Sequence, residues 1–465
     1  MKSRRIVAVV GVVLLLVAAG AAALLYAARR DVTTSSAEAA RVYKEALDNE
    51  RCVYIKEARL GFARAIELDP DFAEALLGLA RLSGDGEQGT GLVRRAAKLK
   101  DRLTERERLH VDMQLAQREN RREEALAIAA RIHARYPDDV RAAMALAGAE
   151  LSKGNSEGAV KIFTDLLATS PNNPDAYNQI GYYYAYRGDT DRAVENLKKY
   201  QFMLPESANP YDSLGEVLAY SGRYDEAIAS LNRALQIKPD FFESWGHLGV
   251  AYEGKGEMGK AIAAYLKAAE LADNDGKREG LLASGLRVVL FSKEKDRKVA
   301  GDLAERLGKL PKTSSSEIGR DVTLAALDLI AGRPAEAERR LAAVRPRLEA
   351  AEAREKRPPG WKADWPAWNM LMAAASQAQG KDDEALPLLE TLANPPNPWR
   401  EFESRRFVYE GRAELAALLA RRGDLDRAEK LLEENRKWNP SWAPTREAEL
   451  AVAQLRREKV LAATK

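Results

Sequence analysis

The chain has 465 residues, 73 Lys and Arg against 70 Asp and Glu, and a single cysteine. Charges this balanced and this interspersed exclude the basic stripe of a nucleic-acid-binding domain. One cysteine, Cys52, excludes an intrachain disulfide and a cysteine-pair metal site. Alanine, leucine, arginine and glutamate dominate, which is the composition of an all-α protein, and the length suits several domains or one long array.

The first residues are basic, Met1-Lys2-Ser3-Arg4-Arg5, and Ile6–Ala28 then runs without a charge. As a helix it would span about 35 Å, enough for a hydrocarbon core of roughly 30 Å. A cleaved signal peptide would use the small run Ala18–Ala23. The apolar run continues through Leu24-Leu25-Tyr26 to the stop at Arg29-Arg30, which favours a retained single-pass anchor over 1–30. Lys2, Arg4 and Arg5 against Arg29 and Arg30 lean towards an inside N-terminus. The bulk of the chain is then expected outside the cytoplasm, on the periplasmic side of an inner membrane.

Residues 31–38 read as a polar linker in which Thr33 to Ser36 can cap the next helix. Over 39–106 a worn two-helix pattern is visible, with Ala58, Phe62, Ala65 and the stop Pro70, and then a helix over Phe72–Leu82. Gly84-Asp85-Gly86-Glu87-Gln88-Gly89 has the spacing of a phosphate loop. An amphipathic helix precedes it where a strand is needed, so it reads as a widened turn. Leu92–Arg108 reads as one long charged helix.

From 107 to 273 the chain is periodic. Ala125, Ala159, Ala193, Ala227 and Ala261 stand 34 residues apart. Pro137, Pro171, Pro205 and Pro239 stop four of the stretches, and Asp273-Asn274-Asp275-Gly276 the fifth. Each period is a helix A and a helix B. In 209–239, Tyr211, Leu214, Gly215 and Leu218 lie on A, Ser221-Gly222-Arg223 is the turn, and Ala227, Leu231 and Ala234 lie on B. Large residues at 3–4 spacing give each helix one apolar stripe. The small pair, glycine on A and alanine on B, lets the axes approach. The glycine before B suits a left-handed helix end, and acids such as Asp189 and Asp225 open B. A single unit cannot bury both stripes, so neighbours must stack.

The register blurs over 274–316, expected as a helical joint with a loop at Pro311–Ser316. It returns over 317–442 with Gly332 and Ala337, Gly380 and Ala385, and Gly423 and Ala428. Ala443–Val460, within 443–465, reads as a polar capping helix. About ten helix pairs are expected in all.

The pattern large-Leu-Gly-Tyr, Ala, Leu, Ala, Pro, quoted above, resembles the tetratricopeptide repeat, most clearly over Asp175–Asp273 and well over Glu107–Pro171. The resemblance implies a right-handed superhelical α-solenoid of helix-turn-helix repeats, here preceded by one transmembrane helix. It also implies a protein that binds a protein or peptide on the concave face lined by helix A. The run from Lys100 to Leu109 is similar to the start of repeat arrays that follow kinase or DNA-binding modules in bacterial signalling proteins.

Carried over by position, the groove is lined by Asp175, Asn178, Tyr182 and Tyr186; by Asn209, Asp212, Glu216 and Tyr220; and by Glu243, Val250 and Glu253. Carboxylates and tyrosines there favour a ligand with basic groups. The basic clamp that some family members use for acidic C-terminal peptides does not occur at these positions. A second candidate is the aromatic patch Trp361, Trp365 and Trp368, part of a cluster with Trp399, Trp438 and Trp442 whose plainer reading is packing between irregular helices. His110, His133 and His247 form no metal motif and read as surface or satisfied groove histidines. No serine elbow, metal site or cofactor motif is present. The reading is a membrane-anchored scaffold or adaptor that makes and breaks no bonds. The alternatives are the ligand-sensing part of a bacterial signalling system and, more remotely, an enzyme of unrecognised type.

Overall fold

The computed structural model describes residues 32–84, 86–292, 296–311, 317–355, 364–395 and 405–463. Ile6–Ala28 lies outside them. Among the described residues no helix is long and apolar enough to cross a membrane. They form 23 α-helices and no strand.

The chain divides into two compact units, 1–171 and 172–465. In the first, helices pair as α1 (Ala37–Arg51) with α2 (Ile55–Leu68), α3 (Ala73–Arg81) with α4 (Glu87–Ala97), α5 (Glu105–Arg118) with α6 (Arg122–Arg135), and α7 (Val140–Ser152) with α8 (Ser156–Thr169). In the second, the pairs are α9 (Pro174–Tyr186) with α10 (Thr190–Met203), α11 (Ala208–Tyr220) with α12 (Tyr224–Ile237), and α13 (Phe242–Lys255) with α14 (Met258–Leu271). They continue as α15 (Asp275–Phe291) with α16 (Arg297–Gly308), α17 (Glu317–Ile330) with α18 (Pro334–Glu355), α19 (Asp364–Ala378) with α20 (Asp382–Ala393), and α21 (Arg405–Arg421) with α22 (Leu425–Trp438). A single helix, α23 (Ala443–Ala463), ends the unit.

The ladder residues explain the pairing. Ala159, Ala193, Ala227 and Ala261 are fully buried on the second helix of their pairs, and Ala125 nearly so. In three of these pairs the first helix carries a glycine at the seam where no side chain fits: a Cβ on Gly181 would stand 2.7 Å from Leu197, one on Gly215 2.5 Å from Leu231, and one on Gly249 2.7 Å from Tyr265. Each A–B turn closes the same way. Gly188, Gly222 and Gly256 take φ of +79°, +82° and +88°. The next amide then reaches five residues back, as from Asp189 to the Tyr184 carbonyl at 2.9 Å. Asp189 in turn caps α10 by accepting from the Arg192 amide.

Two helical stretches are broken. Leu92–Arg108 stops at Ala97, passes through a short turn of 3₁₀ helix at Lys100–Arg102, and restarts at Glu105. The cause is a capping box: Thr104 accepts from the Glu107 amide and the Glu107 carboxylate takes the Thr104 amide. Lys277–Leu310 likewise divides into α15 and α16, with Asp296 capping the second. The division into units falls inside the regular ladder, after Pro171.

The second unit has a feature that periodicity does not describe. Its last turn, between α22 and α23, lies along the row of turns that follow α9, α11 and α13. Trp438 stands over Gly188, Asn439 and Pro440 against Gly222, and Ala443 against Gly256. The Tyr224 hydroxyl donates to Asn439 Oδ1 at 2.9 Å, and Asn439 Nδ2 donates to the Tyr220 carbonyl at 3.3 Å. Tyr409 and Trp442 therefore belong to the same apolar core as Leu197, Leu231 and Tyr265.

Candidate protein-binding surface

The inner face of α9, α11 and α13 is built from positions one repeat apart, so the residues that meet across neighbouring helices are also one repeat apart in sequence. Tyr182 on α9 donates its hydroxyl to Glu216 on α11 at 2.6 Å. Asp212 on α11 accepts from Ser244 Oγ at 2.6 Å and lies 3.0 Å from His247 Nδ1, both on α13. Burial, then the Glu216 charge, pushes the Tyr182 hydroxyl well above its ordinary range. Burial also lifts the Glu243 carboxyl to about 7, with Lys277 at 3.8 Å offsetting only part of the cost.

The sequence-derived groove residues separate into two sets. Asn209, Asp212, Glu216, Tyr220 and Glu253 are buried, as is Val250. Asn209 donates to the Tyr200 hydroxyl at 2.9 Å. Tyr220 is enclosed next to the returning C-terminal turn. Glu253 takes the Tyr265 hydroxyl at 3.1 Å and the Arg287 guanidinium at 2.5 Å. Asp175, Asn178, Tyr182, Tyr186 and Glu243 are half-buried. The rings of Tyr182 and Tyr186 lie 6.5 Å apart, and the Asn178 side-chain oxygen has no hydrogen-bond partner. Four residues of α9, at 175, 178, 182 and 186, thus present a partly open polar-aromatic strip.

The second candidate is placed differently. Trp361 lies outside the described residues. Trp365 and Trp368 pack edge to face at 5.5 Å, and Trp368 is buried with its indole N–H on the Leu341 carbonyl at 2.8 Å.

Two buried polar networks were not legible in advance. In the first unit, His110 is enclosed with Nδ1 2.9 Å from Glu74 and Nε2 2.8 Å from Asp139, while Arg141 reaches Glu74 at 2.7 Å. Burial alone would raise the Glu74 carboxyl; Arg141 and His110 outweigh it and hold the group well below the usual range. Thr33 joins this unit by giving both its amide and its hydroxyl to Glu107. In the second unit, Arg287 lies between Glu253 and Glu410, all three buried. The helix periods place His110 and Arg287 on inner faces, but their partners sit on other repeats and leave no local signal. No group of metal-ligating side chains is assembled among the described residues.

Family profiles described as "Tetratricopeptide repeat" match residues 116–180, 174–201 and 242–275, and one described as "TPR repeat" matches 215–256. No curated protein sequence matches the chain. Among solved structures, the Cut9–Hcn1 hetero-tetramer of the APC/C aligns over 91% of this chain and 78% of its own at 14% identity and TM-score 0.45. Yeast Tom70 aligns over 91% and 96% at 13% identity and TM-score 0.39. MamA from Desulfovibrio magneticus RS-1 aligns over 37% and 93% at 23% identity and TM-score 0.31. The matched profiles fall on the helix pairs whose glycine–alanine seams and left-handed turns are described above, and such repeats make interaction scaffolds: the chain carries tetratricopeptide repeats over residues 116–201 and 215–275.

Proposed function

We propose that the chain is a non-catalytic, membrane-anchored scaffold that holds a protein partner outside the cytoplasm, docking it on the strip Asp175–Asn178–Tyr182–Tyr186 of α9. The observation that carries this reading is the contrast along the inner face. The equivalent residues of α11 are buried, whereas Asp175, Asn178, Tyr182 and Tyr186 of α9 are half-open. The half-open Asp175 carboxylate and the Tyr182 and Tyr186 rings on one helix suit a partner that brings a basic group and apolar surface. Tyrosine supplies contact area at low entropic cost. Ile6–Ala28 supplies the anchor by its length and lack of charge.

The test is photocrosslinked capture of partners from intact cells, using full chains that carry a C-terminal reporter active only outside the cytoplasm. The paired substitution Asn178→Ala and Tyr186→Ala is expected to lower capture roughly tenfold, the size of one lost aromatic anchor, with the circular dichroism melt unchanged. Unchanged capture removes the α9 strip as the docking site. A silent reporter removes the export.

A further inference from the structure

In the second unit the inner face changes character after α13. The first helices of four successive pairs, α15, α17, α19 and α21, enclose a cavity of about 680 Å³. Its walls are Ala283, Val322, Ala326, Met370, Leu371 and Phe407. Small residues leave it open: Gly280 and Ser284 on α15, and Gly319 and Ala326 on α17, line it.

Two guanidinium groups reach this apolar space. Arg287 gives its terminal nitrogens to Glu253 and Glu410, leaving its buried Nε without a partner. Arg406 makes no close ion pair, although the Glu410 carboxylate one helical turn on feels its charge. Its hydrogen bond is a long one, Nη2 to Ser284 Oγ at 3.4 Å; its Cζ lies 5.1 Å from the centre of the Phe407 ring, and its Nε has no acceptor. No carboxylate among the described residues pairs with it within 4.0 Å, whereas the cavity's acids are engaged, Glu279 with Arg320 and Asp275 with Arg278. A cation at an apolar wall is costly until an anion meets it.

We propose that this cavity binds an amphiphilic organic anion, an apolar chain ending in a carboxylate. The carboxylate sits between Arg406 and Ser284, and the chain runs along α15 towards Phe291 and Met370. From Ser284 to Phe291 a helix rises roughly 10 Å, about the length of an eight-carbon chain. A sugar or nucleotide would strand its hydroxyls against Val322 and Leu371. A neutral hydrocarbon would leave Arg406 unpaired, and an amine would be repelled. The volume and the ratio of apolar wall to polar groups are those of small-molecule sites.

The experiment is calorimetric titration of the full chain in lipid nanodiscs with octanoate and, separately, 1-octanol, with empty nanodiscs subtracted. Octanoate is expected to bind once per chain and at least tenfold tighter than octanol. Arg406→Gln should weaken octanoate about tenfold and leave octanol unchanged, with Arg406→Lys restoring most of the loss. Ala283→Trp, at a half-open wall position, should abolish both while the melting curve confirms folding. Absence of saturable octanoate binding, equal affinity for octanol, or indifference to both Arg406→Gln and Ala283→Trp would overturn the proposal. Binding of an apolar, C-terminally amidated peptide, blocked by Ala283→Trp where octanoate fails to bind, would overturn it in favour of a peptide groove.

Discussion

Glu243 shows how a single inner-face residue sets a cost. Its carboxyl stands at the start of α13, half-buried, and burial raises it from an ordinary 4.5 to about 7 in the folded chain. A raised carboxyl favours the folded state only while protonated. Its contribution is present in full below about 4.5 and is lost as the pH rises through about 7. The shift corresponds to at most roughly 3 kcal/mol. Glu243→Gln keeps the shape and removes the titration. The variant should match the wild type near pH 5 and gain stability progressively up to pH 8, read from urea midpoints at each pH. A constant difference across that range would show that the group titrates normally. Such a buried acid on the inner face makes sense beside a partner that brings a positive charge, since Lys277 alone, at 3.8 Å, does not bring it back to an ordinary value.

At the scale of elements, most of the helix pairs were legible because their causes are local. The alanine of helix B, the glycine of helix A and the left-handed turn glycine recur at fixed offsets, and each acts on a neighbour a few residues or one helix away. Where the local cause was a cap, the apolar stripe concealed it. Leu92–Arg108 looks continuous because Leu92, Leu99 and Leu103 keep a helical spacing, yet Thr104-Glu105-Arg106-Glu107 carries the capping signature that starts α5. Glu107 also receives Thr33, so it serves the helix start and the chain entry together. Thr104→Ala should therefore cost about 1 kcal/mol, the usual loss of a cap. Glu107→Ala should cost about 2 kcal/mol, because it also strands the half-buried donors of Thr33. Urea denaturation followed by a probe in the first unit measures both. Equal costs would mean that the Thr33 contact adds nothing.

The groove and the closure of the second unit belong to the whole molecule, and that is why they were read only in outline. Positional transfer treated Asp175, Asn178, Tyr182 and Tyr186 alike with Tyr220 and Glu253, but the structure leaves the first four half-buried while packing engages the last two. No periodic argument relates Tyr224 to Asn439 across 215 residues. An open array couples each repeat only to its neighbours, so a change at its end should be felt only at its end. Here Trp438, Asn439 and Ala443 lie against three successive turns near the start of the unit, which makes the two regions one cooperative body. Asn439→Ala removes the acceptor for Tyr224 and the donor for the Tyr220 carbonyl, both buried, at a cost of about 2–3 kcal/mol. Hydrogen exchange on the full chain should then show a ten- to hundredfold loss of protection in the turns after α9, α11 and α13 as well as in α22 and α23. The intervening α17 should change less. Loss confined to α21–α23 would mean that the unit behaves as an open array and that the returning turn rests on the earlier repeats without stabilising them.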